Sequence, residues 1–175
     1  LLNLSCLNEA EPRSGAKVFK PYEDRKIRVP FVESDADEEL LFNIPFTGNI
    51  KLRGVIIAGD DSEQHPKTAV LYRNKPFMAF SDTDGAGDQL LSLNIDRDGS
   101  LIYPLKMSKF SNVHHLSIHI KENFGSASTR INYIGLRGQF SDFVRQEVVI
   151  TTYELAPNIA DHKTDLINTN PHFIS

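Results

Sequence analysis

Tryptophan is absent and cysteine occurs once, as Cys6. One cysteine excludes an intrachain disulfide, a Cys-x-x-Cys redox centre and any multi-cysteine zinc site. A single free thiol fits a reducing compartment, the cytoplasm first and the nucleus second. No apolar run approaches the roughly 20 residues that a membrane-spanning helix needs, and residues Gly54 to Ala58 form one of the longest. No window of 11 or more residues carries a strong helical period. The sequence holds no Gly-x-Ser-x-Gly, no Gly-x-x-x-x-Gly-Lys-Ser/Thr, no Gly-x-Gly-x-x-Gly and no His-Glu-x-x-His. The common hydrolase, nucleotide and zinc-protease signatures are therefore missing. Because the first residue is Leu1 rather than Met, a fragment of a longer polypeptide is expected, with room upstream for a targeting segment.

What is present is the composition of one globular domain. The chain has 175 residues, 40% hydrophobic and 24% charged, which is long enough to bury a core without staples. Its net charge is −4. Residues 1–100 hold 12 Lys and Arg against 17 Asp and Glu, and residues 101–175 hold 7 against 6. Neither half offers the concentrated basic surface that nucleic acid requires. The basic cluster Arg13, Lys17, Lys20, Arg25, Lys26 and Arg28 is interrupted by Glu23 and Asp24 and followed by the acidic run from Glu33 to Glu39. It reads as a self-complementary solvated surface.

The dominant pattern is period two, which predicts strands. Leu40, Phe42, Ile44 and Phe46 share one face of a first strand, and Pro45 predicts an edge or strand end because it has no N–H to donate. Thr47-Gly48-Asn49 is expected to turn the chain into a second strand over 50–58. Further strands are expected at 68–74, 113–121, 129–137 and 147–154. Residues 89–94 and 100–105 are expected to form a hairpin through Asp96-Arg97-Asp98-Gly99, and 139–146 a short helical turn. The result is an all-β sandwich or barrel. Residues 1–30, with Pro12, Pro21 and Pro30, are expected to wrap it as an extended arm pinned by Val18, Phe19 and Tyr22. Residues 156–175 read as a polar C-terminal tail.

Candidate chemistry is sparse. His115 and His119 fall on one face of a strand about 13 Å apart, too far to share a zinc ion. They are expected at the surface, with His114 directed toward the core. The loop from Asp82 to Asp88 superficially resembles a calcium loop, but the twelfth position is Leu93 and not the required Glu. Phe42, Phe46, Phe110 and Phe124 read as core. That leaves Tyr22, Tyr72 and Tyr103 as platforms for a sugar. Cys6, flanked by Leu4 and Leu7, reads as an inert, partly buried thiol. No metal and no cofactor is expected.

The segment from Phe31 to Phe42, FVESDADEELLF, resembles the signature of the PITH domain, a proteasome-interacting domain found at the C-terminus of a thioredoxin-like protein. Cys6-Leu7-Asn8-Glu9, Phe110-Ser111-Asn112-Val113, the stretch Leu116 to Ile120 and the stretch Thr129 to Gly138 agree with it. The resemblance covers about residues 5–155. Ala160-Asp161-His162 and His172-Phe173-Ile174-Ser175 are similar to members in which no thioredoxin domain precedes the module.

The resemblance implies a jelly-roll β-sandwich similar to galactose-binding domains, with a PITH domain over 1–155 and the tail beyond. It also implies a non-catalytic, monomeric module that docks on subunits of the proteasome regulatory particle. The rival reading is a β-sandwich that binds carbohydrate or another small polar molecule, with a weak calcium site in its acidic loops. Within the signature, Ser34, Asp35 and Asp37 are expected to bond the backbone of a tight turn, with Asp35 and Asp37 buried. Glu33, Glu38 and Glu39 are expected to face solvent or pair with Arg25, Lys26 and Arg28. In the tail, Phe173 and Ile174 are expected either to fold back onto the sandwich or to anchor a partner, with His172 as a polar or metal-directed contact.

Overall fold

The structure is a computed structural model that describes residues 3–141. The strand expected at 147–154, most of the helical turn expected at 139–146, and the tail residues His172, Phe173 and Ile174 lie outside the described residues. Eight strands are described: β1 (Ser5–Leu7), β2 (Val32–Glu33), β3 (Leu40–Gly59), β4 (Pro66–Arg73), β5 (Gln89–Ser92), β6 (Tyr103–Pro104), β7 (Val113–Asn123) and β8 (Arg130–Ser141). Two single helical turns, α1 (Ser14–Lys17) and α2 (Met107–Phe110), interrupt them.

All strand pairs are antiparallel and form one sheet ordered β2-β8-β3-β7-β4-β5, with β1 and β6 also on β3. The predicted pair of strands at 40–46 and 50–58 is thus one strand of 20 residues. Thr47-Gly48-Asn49 does not turn the chain. It sits where the pairing with β7 slips between Pro45 and Ile50, a bulge that bends the strand and keeps it continuous. Leu41 pairs with both Leu7 and His119, and Ile50 with both Val113 and Phe140. One edge of β3 therefore carries β1 and then β8, and the other carries β7 and then β6. Pro45 is tolerated because its missing N–H falls just past Asn43, where β1 ends, and before Asn49, where β8 begins.

The core lies between the two leaves that β3 joins. Leu40, Phe42 and Ile44 meet Leu52, Val55 and Ile57 from its other half, together with Leu116, Ile118 and Ile120 of β7 and Ile131 and Ile134 of β8. The period-two pattern locates this face correctly. It fails at His114, which shares that face but is exposed, and on the opposite face of β7, where His115, Ser117 and His119 are buried. A second apolar cluster of Leu41, Val70, Tyr72 and Met78, with Leu7 and Phe80 against it, covers that side. The covering layer is the loop after β4, a long-range contact that no local period reports.

Three smaller expectations also change. The segments at 89–94 and 100–105 do not pair with each other, since β5 joins β4 and β6 joins β3. Phe124 is exposed, unlike Phe42 and Phe110. The N-terminal arm is pinned by Val18, fully buried, and Phe19, whose ring meets Phe42 edge-on, whereas Tyr22 is 50% exposed. The arm also contributes β1 to the sheet.

The turn at Asp96 is held from within. Its Oδ1 accepts from Asp98 N, Ser100 N and Ser100 Oγ, and its Oδ2 from Leu101 N at 2.7 Å. Its own N–H donates to Nε2 of the fully buried His65 at 2.9 Å. That leaves the proton of His65 on Nδ1, which donates to Pro66 O at 2.8 Å. Burial works to raise the Asp96 pKa, but the donors from Leu101, Ser100 and Asp98 outweigh it and hold the carboxyl below its ordinary value. As pH falls through about 4 the unfolded chain takes the proton first, so this stabilisation is present above that pH and lost below it. Asp96→Asn is expected to cost about 1–3 kcal/mol at neutral pH and to flatten the acid limb of the stability curve, measured by urea titration from neutral pH to below pH 4.

Candidate functional site

The acidic signature forms a clasp between the N-terminal segment, the β2–β3 connection and the β7–β8 connection. Its hub is Asn8, which takes a left-handed φ of 66°, a conformation asparagine adopts more readily than most residues. Asn8 Nδ2 donates to Asp37 Oδ1 at 2.8 Å and to Glu39 O at 2.7 Å. Its Oδ1 accepts from Ala36 N, and its carbonyl from Asp35 N. On the other side, Ser34 Oγ accepts from Thr129 N at 2.9 Å, Ser34 N donates to Thr129 O, and Thr129 Oγ1 donates to Glu38 O at 2.6 Å. Ser34 and Thr129 are both buried.

The division of labour within the signature differs from the sequence reading. Asp35 and Asp37 are exposed, not buried. Asp37 does bond a turn, accepting from Glu39 N at 3.0 Å. The Asp35 carboxylate accepts nothing among the described residues, and only its backbone is held. Ser34 is the buried member. Glu33 does not reach Arg25, Lys26 or Arg28; its Oε1 accepts from Gln64 Nε2 and Ser128 Oγ. Glu39 Oε2 lies 2.7 Å from Nε2 of His119. Arg28 pairs instead with Asp60 at 3.1 Å, and Arg25 stacks over Tyr22 at 4.0 Å. The carboxylates cannot follow sequence neighbours because the chain folds them against Thr129, Ser128 and His119, about 90 residues on.

Elsewhere the polar groups are also spent internally. Asp82 accepts from Ala79 N, and Asp88 accepts from Arg73 N and pairs with Nε of Arg73 at 3.4 Å. The loop expected as a calcium candidate therefore turns its first and last carboxylates to its own backbone and to β4. Among the described residues no group of three or more His, Cys, Asp or Glu is placed to hold a metal ion. Cys6 is half-buried on β1, with burial first and the Glu9 carboxylate second pushing its thiol well above the ordinary range. Nothing here resembles an activated nucleophile.

Residues 1–157 match the PITH domain family. The chain belongs to that family. Over 175 residues, all of this chain and 83% of the relative, it is 55% identical to human PITH domain-containing protein 1. It is 37% identical over 173 residues to PITH domain-containing protein 1 of Dictyostelium discoideum, covering 98% of this chain and 85% of the relative. Solved structures agree on the fold. The F5/8 type C domain of a Bacteroides fragilis protein superposes with a TM-score of 0.55 at 13% identity, covering 79% of this chain and 91% of that domain. The C-terminal domain of a chitobiase from the same organism gives 0.53 at 15%, covering 79% and 93%. This PITH domain is therefore an all-β jelly-roll sandwich of the galactose-binding-like kind, and at such identities the likeness concerns fold alone.

A cleft of about 410 Å³ in the PITH domain lies on the outer side of β3 and β8 between Tyr22, Ile56, Ile102, Tyr133, Leu136 and Arg137. Its tyrosines are the kind of platform a sugar site would use, but Ile56, Ile102 and Leu136 make the lining mostly apolar and Arg137 is its one charged side chain. Gly135 makes room for the Tyr133 ring, since a Cβ there would lie 2.6 Å from the hydroxyl. The remaining platform residues are occupied: Tyr72 Oη donates to Thr83 O, and Tyr103 Oη accepts from Asn94 N.

Asn8→Gly keeps the left-handed backbone accessible while deleting four side-chain hydrogen bonds, and should lower stability by about 1–3 kcal/mol. Asp35→Ala should stay within about 0.5 kcal/mol of the parent. Denaturant melts of the two variants check the ranking. The Cys6 thiol should react with a maleimide at neutral pH far more slowly than free cysteine, followed by intact mass over time.

Proposed function

We propose that this PITH domain is a non-catalytic protein-interaction module that associates, as a monomer, with the proteasome regulatory particle in the cytoplasm and the nucleus. The carrying observation is its membership of the PITH family, whose resemblance implies proteasome docking. The geometry supports the non-catalytic part of the reading. Asp37, Glu33 and Glu39 of the signature and the buried His65 and His119 make hydrogen bonds that close the fold, and burial pushes the Cys6 thiol well above its ordinary range. Catalysis needs a group free to take or give a proton or to attack, and of the signature carboxylates only those of Asp35 and Glu38 accept no hydrogen bond among the described residues, with no activated nucleophile described beside them. The mostly apolar lining of the cleft beside Tyr22 disfavours the rival reading as a carbohydrate binder.

The test is affinity purification of the tagged chain from cell lysate, with mass spectrometry of the bound proteins. Regulatory-particle subunits should be enriched in near-stoichiometric ratios over an unrelated β-sandwich control. Their absence, with specific retention on a glycan array, would replace this reading by the sugar-binding one. A chain ending at Leu155, assayed in parallel, tests the tail anchors Phe173 and Ile174: a partner-docking tail predicts loss of capture with an unchanged melting temperature.

A further inference from the structure

The loop between β4 and the turn at Phe80 carries a feature that the fold does not need. Phe77 is 89% exposed and has a φ of 55°. A bulky side chain in the left-handed region is strained, and an aromatic ring at this exposure recovers nothing by burial. Glycine or asparagine would satisfy the same backbone more cheaply.

Both flanks of Phe77 are clamped by polar groups buried in the sheet. Asn43 and Ser117 face each other across β3 and β7, joined by a 3.0 Å hydrogen bond from Ser117 Oγ to Asn43 Oδ1. Asn43 Nδ2 donates to Met78 O at 2.9 Å, and Met78 N donates to Asn43 Oδ1 at 3.1 Å. Met78 itself is buried. On the other flank Ser117 Oγ also reaches Lys75 O. Asn74 donates to His115 O and Asn112 O and accepts from His114 N. The ring is therefore displayed by a rigid support rather than by a loose loop tip.

The two chain segments nearest the ring carry charges of one sign. Asn74 bonds Asn112, and Arg73 Nη1 donates to Lys109 O at 2.6 Å, which brings residues 73–80 and 106–115 together. These two segments contain Arg73, Lys75, Lys106 and Lys109 and no Asp or Glu, in a chain of net charge −4. Two neighbouring carboxylates meet them and are held there: Asp88 pairs with Arg73, and Asp82 accepts from Ala79 N. Met107, in the second of these segments, is also exposed, at 51%.

We infer that Phe77 is a preformed docking anchor that enters an apolar pocket ringed by Asp and Glu side chains on a partner protein. The inference rests on the proteasome reading above, which makes that partner a component of the regulatory particle. Preorganisation removes the ordering cost that a flexible aromatic would carry on binding, and a buried aromatic is a common source of interface affinity. The surrounding cations act on the rate of encounter with an acidic rim. A protein pocket is favoured over a lipid surface because a single exposed ring offers too little apolar area to hold a bilayer.

The experiment uses the full chain immobilised on a sensor and purified 26S proteasome in solution. Phe77→Ala and Phe77→Gly should each weaken binding by about tenfold or more. Their melting temperatures should be unchanged or raised, because both remove a strained exposed ring and glycine accepts the left-handed backbone. The double variant Lys75→Glu, Lys109→Glu should slow association several-fold at low salt, with the difference shrinking as salt rises. Unchanged affinity in both Phe77 variants overturns the anchor and leaves the proteasome reading intact. No binding by the unaltered chain overturns both. A melting temperature that falls along with binding in Phe77→Gly overturns the anchor in favour of a structural role. Binding of the unaltered chain to phosphatidylserine vesicles, lost in Phe77→Ala, overturns the protein-pocket assignment in favour of a lipid surface.

Discussion

One strand carries hydrogen bonds to four others. β3 pairs with β1 and β8 along one edge and with β7 and β6 along the other, so the two leaves of the sandwich share a single length of backbone. A flat strand of 20 residues could serve only one leaf. The bulge between Pro45 and Ile50 re-aims the second half. Leu40, Phe42 and Ile44 can then face Leu52, Val55 and Ile57 across the core. Removing the continuity of β3 would separate the leaves before it removed any single core contact.

The polar groups inside this fold follow from the same constraint. A sheet bent on itself leaves connections running over buried faces, and their backbone groups need partners. Asn8, Ser34 and Thr129 supply them at one end, Asp96 and His65 at the side, and Asn43, Ser117 and Asn74 beneath the loop after β4. Each network joins segments far apart in the chain. The signature that marks the family is therefore a closure device, and its conspicuous acids divide between bonded residues such as Asp37 and Glu33 and the solvent-facing Asp35.

Because these groups are committed to closure, the docking proposed above falls to what remains on the surface. Two features stand out there: the mostly apolar cleft beside Tyr22, and the Phe77 loop with its basic flanking segments. Stability and display are coupled in the second. Asn43 and Ser117 satisfy each other in the sheet and hold Met78 and Lys75, and the two residues between them, Pro76 and Phe77, are left exposed.

Much of this was legible in the chain by itself. Alternation in Leu40–Ile44 and Leu116–Ile120 determined which faces form the core, because side chains in a strand alternate with a period of two. The single cysteine and the missing motifs determined the classes of chemistry excluded. Turn residues marked Asp96 to Gly99, and the run from Phe31 to Phe42 marked the family. Tertiary structure alone decided the rest. Residues Thr47 to Asn49 resemble a turn, yet pairing with β7 and β8 on either side makes them a bulge. His115 and His119 alternate as surface residues should, yet a loop some 40 positions earlier buries them. Asp35 and Ser34 exchange their expected roles because Thr129, not the local turn, supplies the donor. Phe77 reads in the sequence as one more hydrophobic residue. Its exposure is set by an asparagine and a serine on two other strands, since burial is a property of what the remainder of the chain places over a residue.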